Sequence, residues 1–106
     1  MPKYMMRVNY TTEGAKGLIK DGGSKRRAVA QAAAESVGGK VEAYYFAFGD
    51  TDAFVIADLP DAASAAAIAL TVSAGGGASV QTIVLMTAEE LDTAAKKSPL
   101  YSAPGR

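Results

Sequence analysis

The chain has no cysteine, no histidine and no tryptophan. Without cysteine there is no disulfide, no thiolate nucleophile and no cysteine-ligated zinc; without histidine the commonest metal ligand and the usual general base are missing. No redox metal, haem or other cofactor is therefore expected. An excess of charge of one sign is missing too, since 11 Lys and Arg stand against 11 Asp and Glu. No global field holds a polyanion or an acidic membrane surface, and neither nucleic acid nor a membrane is expected as a partner. The longest apolar region, Ala62 to Ala74, contains Ser and Thr and falls short of the roughly 20 residues a membrane span needs. The opening Met-Pro-Lys-Tyr-Met-Met-Arg is interrupted by Arg7 and Asn9, so no secretory signal is read there and a cytoplasmic location is expected.

What is present is the composition of one folded domain, with 106 residues, 49% of them hydrophobic and 21% charged. Tyr4 to Tyr10 alternates Tyr4, Met6, Val8 and Tyr10 with Met5, Arg7 and Asn9, the period of a strand. The glycine-bearing connection Thr11 to Gly23 has room for a short helix over Glu13 to Lys20. Ser24 is placed to cap a first main helix that continues through Ala28 to Val37 and stops at Gly38-Gly39. Lys40 to Phe48 and Ala53 to Ala57, joined by Gly49-Asp50-Thr51-Asp52, read as a hairpin. Asp61 caps a second helix running to Ala74, which Gly75-Gly76-Gly77 ends. Val80 to Met86 is a fourth strand, and Thr87 with Glu90 forms a capping box that opens a short third helix to about Lys97. Ser98 to Arg106 is a tail.

The order βαββαβ, with an added C-terminal helix, predicts an α+β, ferredoxin-like split βαβ: a four-stranded antiparallel sheet with two helices on one face. Residues 1–97 form the single domain and 98–106 the tail. Strict alternation along the second strand puts Val41, Ala43, Tyr45 and Ala47 on one side and Tyr44, Phe46 and Phe48 on the other. The third strand puts Val55 and Ala57 opposite Phe54 and Ile56. Both faces of the sheet are then apolar, and one aromatic face is left for a second copy to cover. The second helix, with almost no polar side, agrees.

The opening Met-Pro-Lys-Tyr, Glu13-Gly-Ala-Lys-Gly-Leu18, Gly22-Gly-Ser-Lys-Arg-Arg27, Tyr45-Phe-Ala-Phe-Gly-Asp50, Asp58-Leu-Pro-Asp61 and Tyr101-Ser-Ala-Pro-Gly105 together resemble the GYD domain family of small bacterial proteins. The family's name reflects a Gly-x-Tyr-Asp turn; Gly49 and Asp52 match it, while Thr51 stands where the family has Tyr. The resemblance implies an oligomeric ferredoxin-like domain related in shape to the dimeric α+β barrels, among them cofactor-free monooxygenases, small-ligand sensors and isomerases.

With the first strand running upward, one rim collects Asn9, Tyr10, Gly22 to Arg27, Gly49 to Asp52 and Gly75 to Ser79. Its glycines either let a ligand approach the backbone or serve tight turns. Lys25, Arg26 and Arg27 lie at the positive end of a helix, where each exposed cation is disfavoured by about 0.3–1 kcal/mol. They either bind an anion together with Ser24 and Gly49, or are paired by Asp50, Asp52 or a partner's carboxylates. Asp52 is the candidate general base, and the alternative makes Asp50 and Asp52 turn residues. Arg7 and Asn9, on a central strand and sharing a face, line a wet cavity or bridge subunits. The carboxylates are too sparse for a divalent-metal site.

Three functions fit: a homo-oligomeric binding or regulatory module for a small anionic metabolite; a cofactor-free enzyme in which Asp52 takes a proton and Arg7 or Arg26 stabilises the resulting anion; and an assembly scaffold without a ligand. All three expect the protein itself as partner, as a homodimer or higher even oligomer. Sedimentation at micromolar concentration is expected to return a dimer or a multiple of one, and a stable monomer would contradict it.

Overall fold

The strand β1 (Lys3–Tyr10) occupies the middle of the sheet because it has an apolar row to bury. Tyr4, Met6 and Val8 are buried, and the residues between them are only partly so. In the computed structural model, which describes residues 1–47 and 49–106, it is followed by α1 (Thr12–Asp21), α2 (Gly23–Ser36), β2 (Lys40–Phe46), β3 (Ala53–Asp58), α3 (Ala62–Ala74), β4 (Ala78–Leu85) and α4 (Ala88–Ala95). The four strands form one antiparallel sheet in the order β2-β3-β1-β4. This is the α+β, ferredoxin-like arrangement. Helix α2 packs over β2 and α3 over β4, and the two helices make little contact with each other. Among the described residues no helix is long and apolar enough to cross a membrane.

Helix ends follow their local chemistry. Asp61 accepts from the Ser64 amide at 2.8 Å, and Thr87 and Glu90 close a reciprocal capping box. Ser24 does not cap. The connection after β1 folds into a full helix, α1, capped by Thr11, and only Gly22 separates it from α2. Gly22 sits at φ +82°, which a residue with a side chain rarely adopts, and its amide donates to the Leu18 carbonyl at 2.8 Å. Helix α2 thus begins at Gly23, with Ser24 already inside its exposed first turn.

The two faces of β2 also differ from strict alternation. Val41 lies opposite Ala57 while Ala43 lies opposite Ile56, so Glu42 is an extra, bulged residue. Beyond the bulge the faces are exchanged. Tyr44 opposite Val55 and Phe46 opposite Ala53 face the helices, whereas Ala43 and Tyr45 join the open face. The expectation that Tyr44 and Phe46 line the open face is therefore wrong, and Phe48 lies outside the described residues. The open face remains apolar with different members: Met5, Tyr45, Phe54, Ile56 and Ile83, with Arg7 among them. Lys3 binds the bulge to the sheet, with Nζ 2.7 Å from Glu42 and 2.9 Å from Asp58. Its hydrogen bond holds the Asp58 carboxyl below the usual carboxylate range.

At the other end of β1, the Thr11 amide donates to the Gly77 carbonyl at 3.0 Å and its hydroxyl to the Gly76 carbonyl at 2.8 Å. This clasp draws the start of α1 against the loop before β4 so closely that a Cβ on Gly14 would overlap the Gly77 carbonyl. Gly17, one helical turn later, faces open space. Gly14→Ala is expected to lower stability by about 1–3 kcal/mol or more through overpacking. Gly17→Ala should raise it by about 0.5–1 kcal/mol through helix propensity. Urea unfolding of both variants checks the pair; equal effects would mean that the clasp is not rigid.

Candidate functional site

Small side chains decide where the interior stays open. Helix α2 presents Ala30, Ala33 and Ala34 to the sheet, and α3 lies apart over β4, so the middle of the sheet is thinly covered. A cleft of about 380 Å³ opens between α1, α2 and the end of α3, lined by Tyr10, Leu18, Arg26, Val29 and Val72, with Gly14, Gly17, Gly75 and Gly77 at its mouth. It continues into a smaller space of about 90 Å³ among Val8, Tyr44, Val55, Ile68 and Val80. On the other side of Tyr10 and Leu18 a third hollow, of about 360 Å³, is bounded by Gly23, Phe46, Ala47 and Asp52. A methyl group on Gly23 would come within 2.8 Å of the Phe46 ring, so the absence of a side chain there lets the ring lie on the start of α2.

The polar groups of the cleft are few: Asp21, which stands 3.8 Å from Lys25, Thr71, Arg26 and the tyrosines. The hydroxyls of Tyr10 and Tyr44 are 2.9 Å apart. Burial, and then the hydrogen bond to Tyr10, push the Tyr44 phenol well above its ordinary value of 10.0, with the nearby Arg26 charge acting the other way. Arg26 is half-buried on the wall shared by the outer and inner spaces. Among the described residues no carboxylate lies within 4.0 Å of it.

The rim residues named from the sequence do not converge. Lys25 is exposed and stands 3.8 Å from Asp21, one turn back, so its neutralising carboxylate is Asp21 and neither Asp50 nor Asp52. Ser24 and Arg27 are exposed on the outer surface of α2, and Gly49 is exposed in the β2–β3 connection with nothing close to it. Arg7 and Asn9 are on the opposite side of the sheet from Arg26. There they border a polar hollow of about 210 Å³ with Asp50, Thr51, Ser79 and Gln81.

Asp52 is the hinge between the two sides. Its Oδ2 accepts from the Tyr10 amide at 2.9 Å, and its own amide donates to the Val8 carbonyl at 2.9 Å and to Asn9 Oδ1 at 3.3 Å. The carboxylate thus extends the pairing of β1 beyond the start of β3. Thr51, at the position where a tyrosine was expected from the resemblance, is buried and accepts from Arg7 Nε at 3.1 Å and Nη2 at 2.8 Å. Its hydroxyl fixes the guanidinium on the open face. Among the described residues, no group of three or more Asp and Glu is arranged to hold a metal ion.

Tyr44 and Leu18 were not singled out as site residues from the sequence, and Tyr10 was placed on the rim without a role. Tyr44 became a site residue only through the bulge, and Leu18 through α1.

A four-stranded antiparallel sheet in this order, with a helix-side cleft and an apolar reverse face, defines a small α+β domain of the ferredoxin-like class. The GYD domain family model matches residues 4–95, and the chain belongs to that family. Neither the curated proteins nor the solved structures compared with it contain a match.

Because Tyr44 holds its proton more tightly when folded, its contribution to stability is complete below about pH 10. That contribution is lost as pH rises from there through the folded-state value. Tyr44→Phe is expected to cost about 0.5–1.5 kcal/mol at neutral pH through the lost Tyr10 bond. It should also flatten the fall in stability above pH 10. Thermal unfolding of both proteins from pH 7 to 11 tests this, and parallel curves would show that Tyr44 is not the titrating group.

Proposed function

We propose that the protein is a homo-oligomeric binding module that takes a small organic anion with an apolar body into the cleft between α1, α2 and α3. The supporting observation is Arg26, a half-buried cation on a wall whose other charged member, Asp21, is paired with Lys25; no carboxylate lies within 4.0 Å of Arg26 among the described residues. Taking a guanidinium partly out of water is costly unless it is paired, and a ligand carboxylate, sulfate or phosphate pairs it with two parallel hydrogen bonds. Behind Arg26 the Tyr10 and Tyr44 hydroxyls offer both donor and acceptor, and the valines accept an apolar body. The volume is at the low end of the roughly 300–1,000 Å³ of small-molecule sites, which favours a metabolite of modest size.

The glycines at the mouth serve this reading only by leaving the entrance open. The Gly77 carbonyl and the Gly14 amide are taken by Thr11, and the Gly75 amide by the Thr71 and Val72 carbonyls. A cofactor-free enzyme using Asp52 as base draws less support, since one carboxylate oxygen already carries the Tyr10 amide. Assembly through the open sheet face belongs to the proposal, because Met5, Phe54 and Ile56 form a continuous apolar surface around the fixed Arg7.

Native mass spectrometry of protein purified without denaturation identifies any co-purifying anion, and melting curves with a panel of carboxylates, sulfates and phosphates rank candidates. Arg26→Ala is expected to weaken the best binder by about 1.5–3 kcal/mol, the scale of a charge-assisted bond. Stability without ligand should stay level or rise slightly, because a cation leaves the N-terminal end of α2. If the variant is destabilised without ligand and no anion protects the parent, Arg26 is structural and the cleft is not an anion site.

A further inference from the structure

The two edges of the sheet are treated differently. The β2 edge carries Lys40, Glu42 and the bulge, all of which obstruct pairing with another strand. The β4 edge has none of these. Its eight residues, Ala-Ser-Val-Gln-Thr-Ile-Val-Leu, include no charge, no proline and no glycine, and among the described residues its outer backbone has no partner. Val84 is 65% exposed, and Leu70 of α3 beside it 71%. Between them runs an apolar groove of about 400 Å³ that also touches Tyr4, Ala66 and Thr82.

The chain that leaves this edge is equally unpartnered. Helix α4 and the residues after it stand away from the sheet, with Leu91, Leu100 and Tyr101 61%, 103% and 80% exposed. They account for a radius of gyration of 16.7 Å, against about 13 Å for a compact chain of this size. An eight-residue helix is marginal in water even with a good cap. It needs a surface to pack on, and its own chain supplies none in this arrangement.

We propose that β4 is a second self-association surface, distinct from the open sheet face. Two copies pair antiparallel along their β4 edges about a twofold axis, and each lays its C-terminal arm in the partner's α3–β4 groove. The areas support a second copy as the occupant. Eight paired residues give a strip about 27 Å long and about 10 Å deep, on the order of 500 Å² counting both sides. A stable interface buries about 1,200–2,000 Å². Two arms contributing about 350 Å² each close the gap, and one buried tyrosine supplies about 150–250 Å² of that. A foreign strand added to the edge would leave the arm uncovered, whereas a second copy covers edge, groove and arm together.

The chain's lack of cysteine allows a clean test. Ser79→Cys, Gln81→Cys and Ile83→Cys, each introduced singly into the full chain, sample alternate positions along β4, with Glu35→Cys on the exposed surface of α2 as control. Under mild oxidation at least one β4 variant is expected to give a disulfide-linked dimer at more than five times the control yield. Separately, Leu91→Asp combined with Leu100→Asp, which alters only exposed arm positions, is expected to raise the dissociation constant of one twofold step at least tenfold in sedimentation equilibrium. Tyr45→Asp on the open face should leave β4 cross-linking in place. Cross-linking at control level for all three β4 positions, or a dissociation constant within twofold of the parent in the arm variant, overturns the proposal. Neither result bears on anion binding at Arg26, which the melting curves test by themselves.

Discussion

The bulge at Glu42 is the constraint on which most of the rest depends. One extra residue in β2 reverses the faces of everything that follows it, so Tyr44 and Phe46 point toward the helices and Tyr45 toward the open side. Lys3 holds that residue in place by bridging Glu42 and Asp58, tying three strands together at one end of the sheet. Without the bulge, Tyr44 would leave Tyr10 and Phe46 would leave Gly23, with Ala43 and Tyr45 facing the helices in their place. The chemistry of the cleft is in this sense a consequence of strand register.

A second determinant is the shortage of bulk on the helices. Alanines on α2 make a weak core in the ordinary sense, and among the described residues the fully buried positions are few and mostly small, with Leu59 the largest side chain almost completely removed from water. The same choice leaves room between helices and sheet that larger residues would have filled. Stability is shifted to the sheet and to the ends of β1, where Lys3 at one end and the Thr11 clasp and Asp52 at the other fasten the connecting segments. A domain built this way keeps open space between its helices and sheet and apolar side chains on its outer surfaces.

Much of this was legible beforehand. The period of two in Tyr4 to Tyr10, the capping residues Asp61 and Thr87, and the glycine stops located most elements, because each reflects interactions within a few residues along the chain. The site was less legible. Asn9 and Arg26 were read as members of one rim, since topology brings their segments to the same end of the sheet; the sheet itself lies between them. The pairing of Lys25 with Asp21 followed only once α1 and α2 were known to meet at Gly22. The wrong face for Tyr44 and Phe46 has a specific cause: a bulge depends on which residue of the neighbouring strand each one meets, and alternation within a single strand carries no trace of that.

The amino-acid sequence by itself determined the element order, the antiparallel α+β class and the chemistry that is unavailable, because composition and local periodicity act over short distances, and the resemblance of its segments pointed to the GYD family. Tertiary structure alone decided which side of the sheet each functional side chain occupies, that Asp52 fastens β1 and that Thr51 holds Arg7. It also decided that Arg26 stands over two tyrosines. These depend on pairing between residues some 34 to 44 positions apart, and the energy of such contacts is fixed by register and packing that no short stretch of sequence contains.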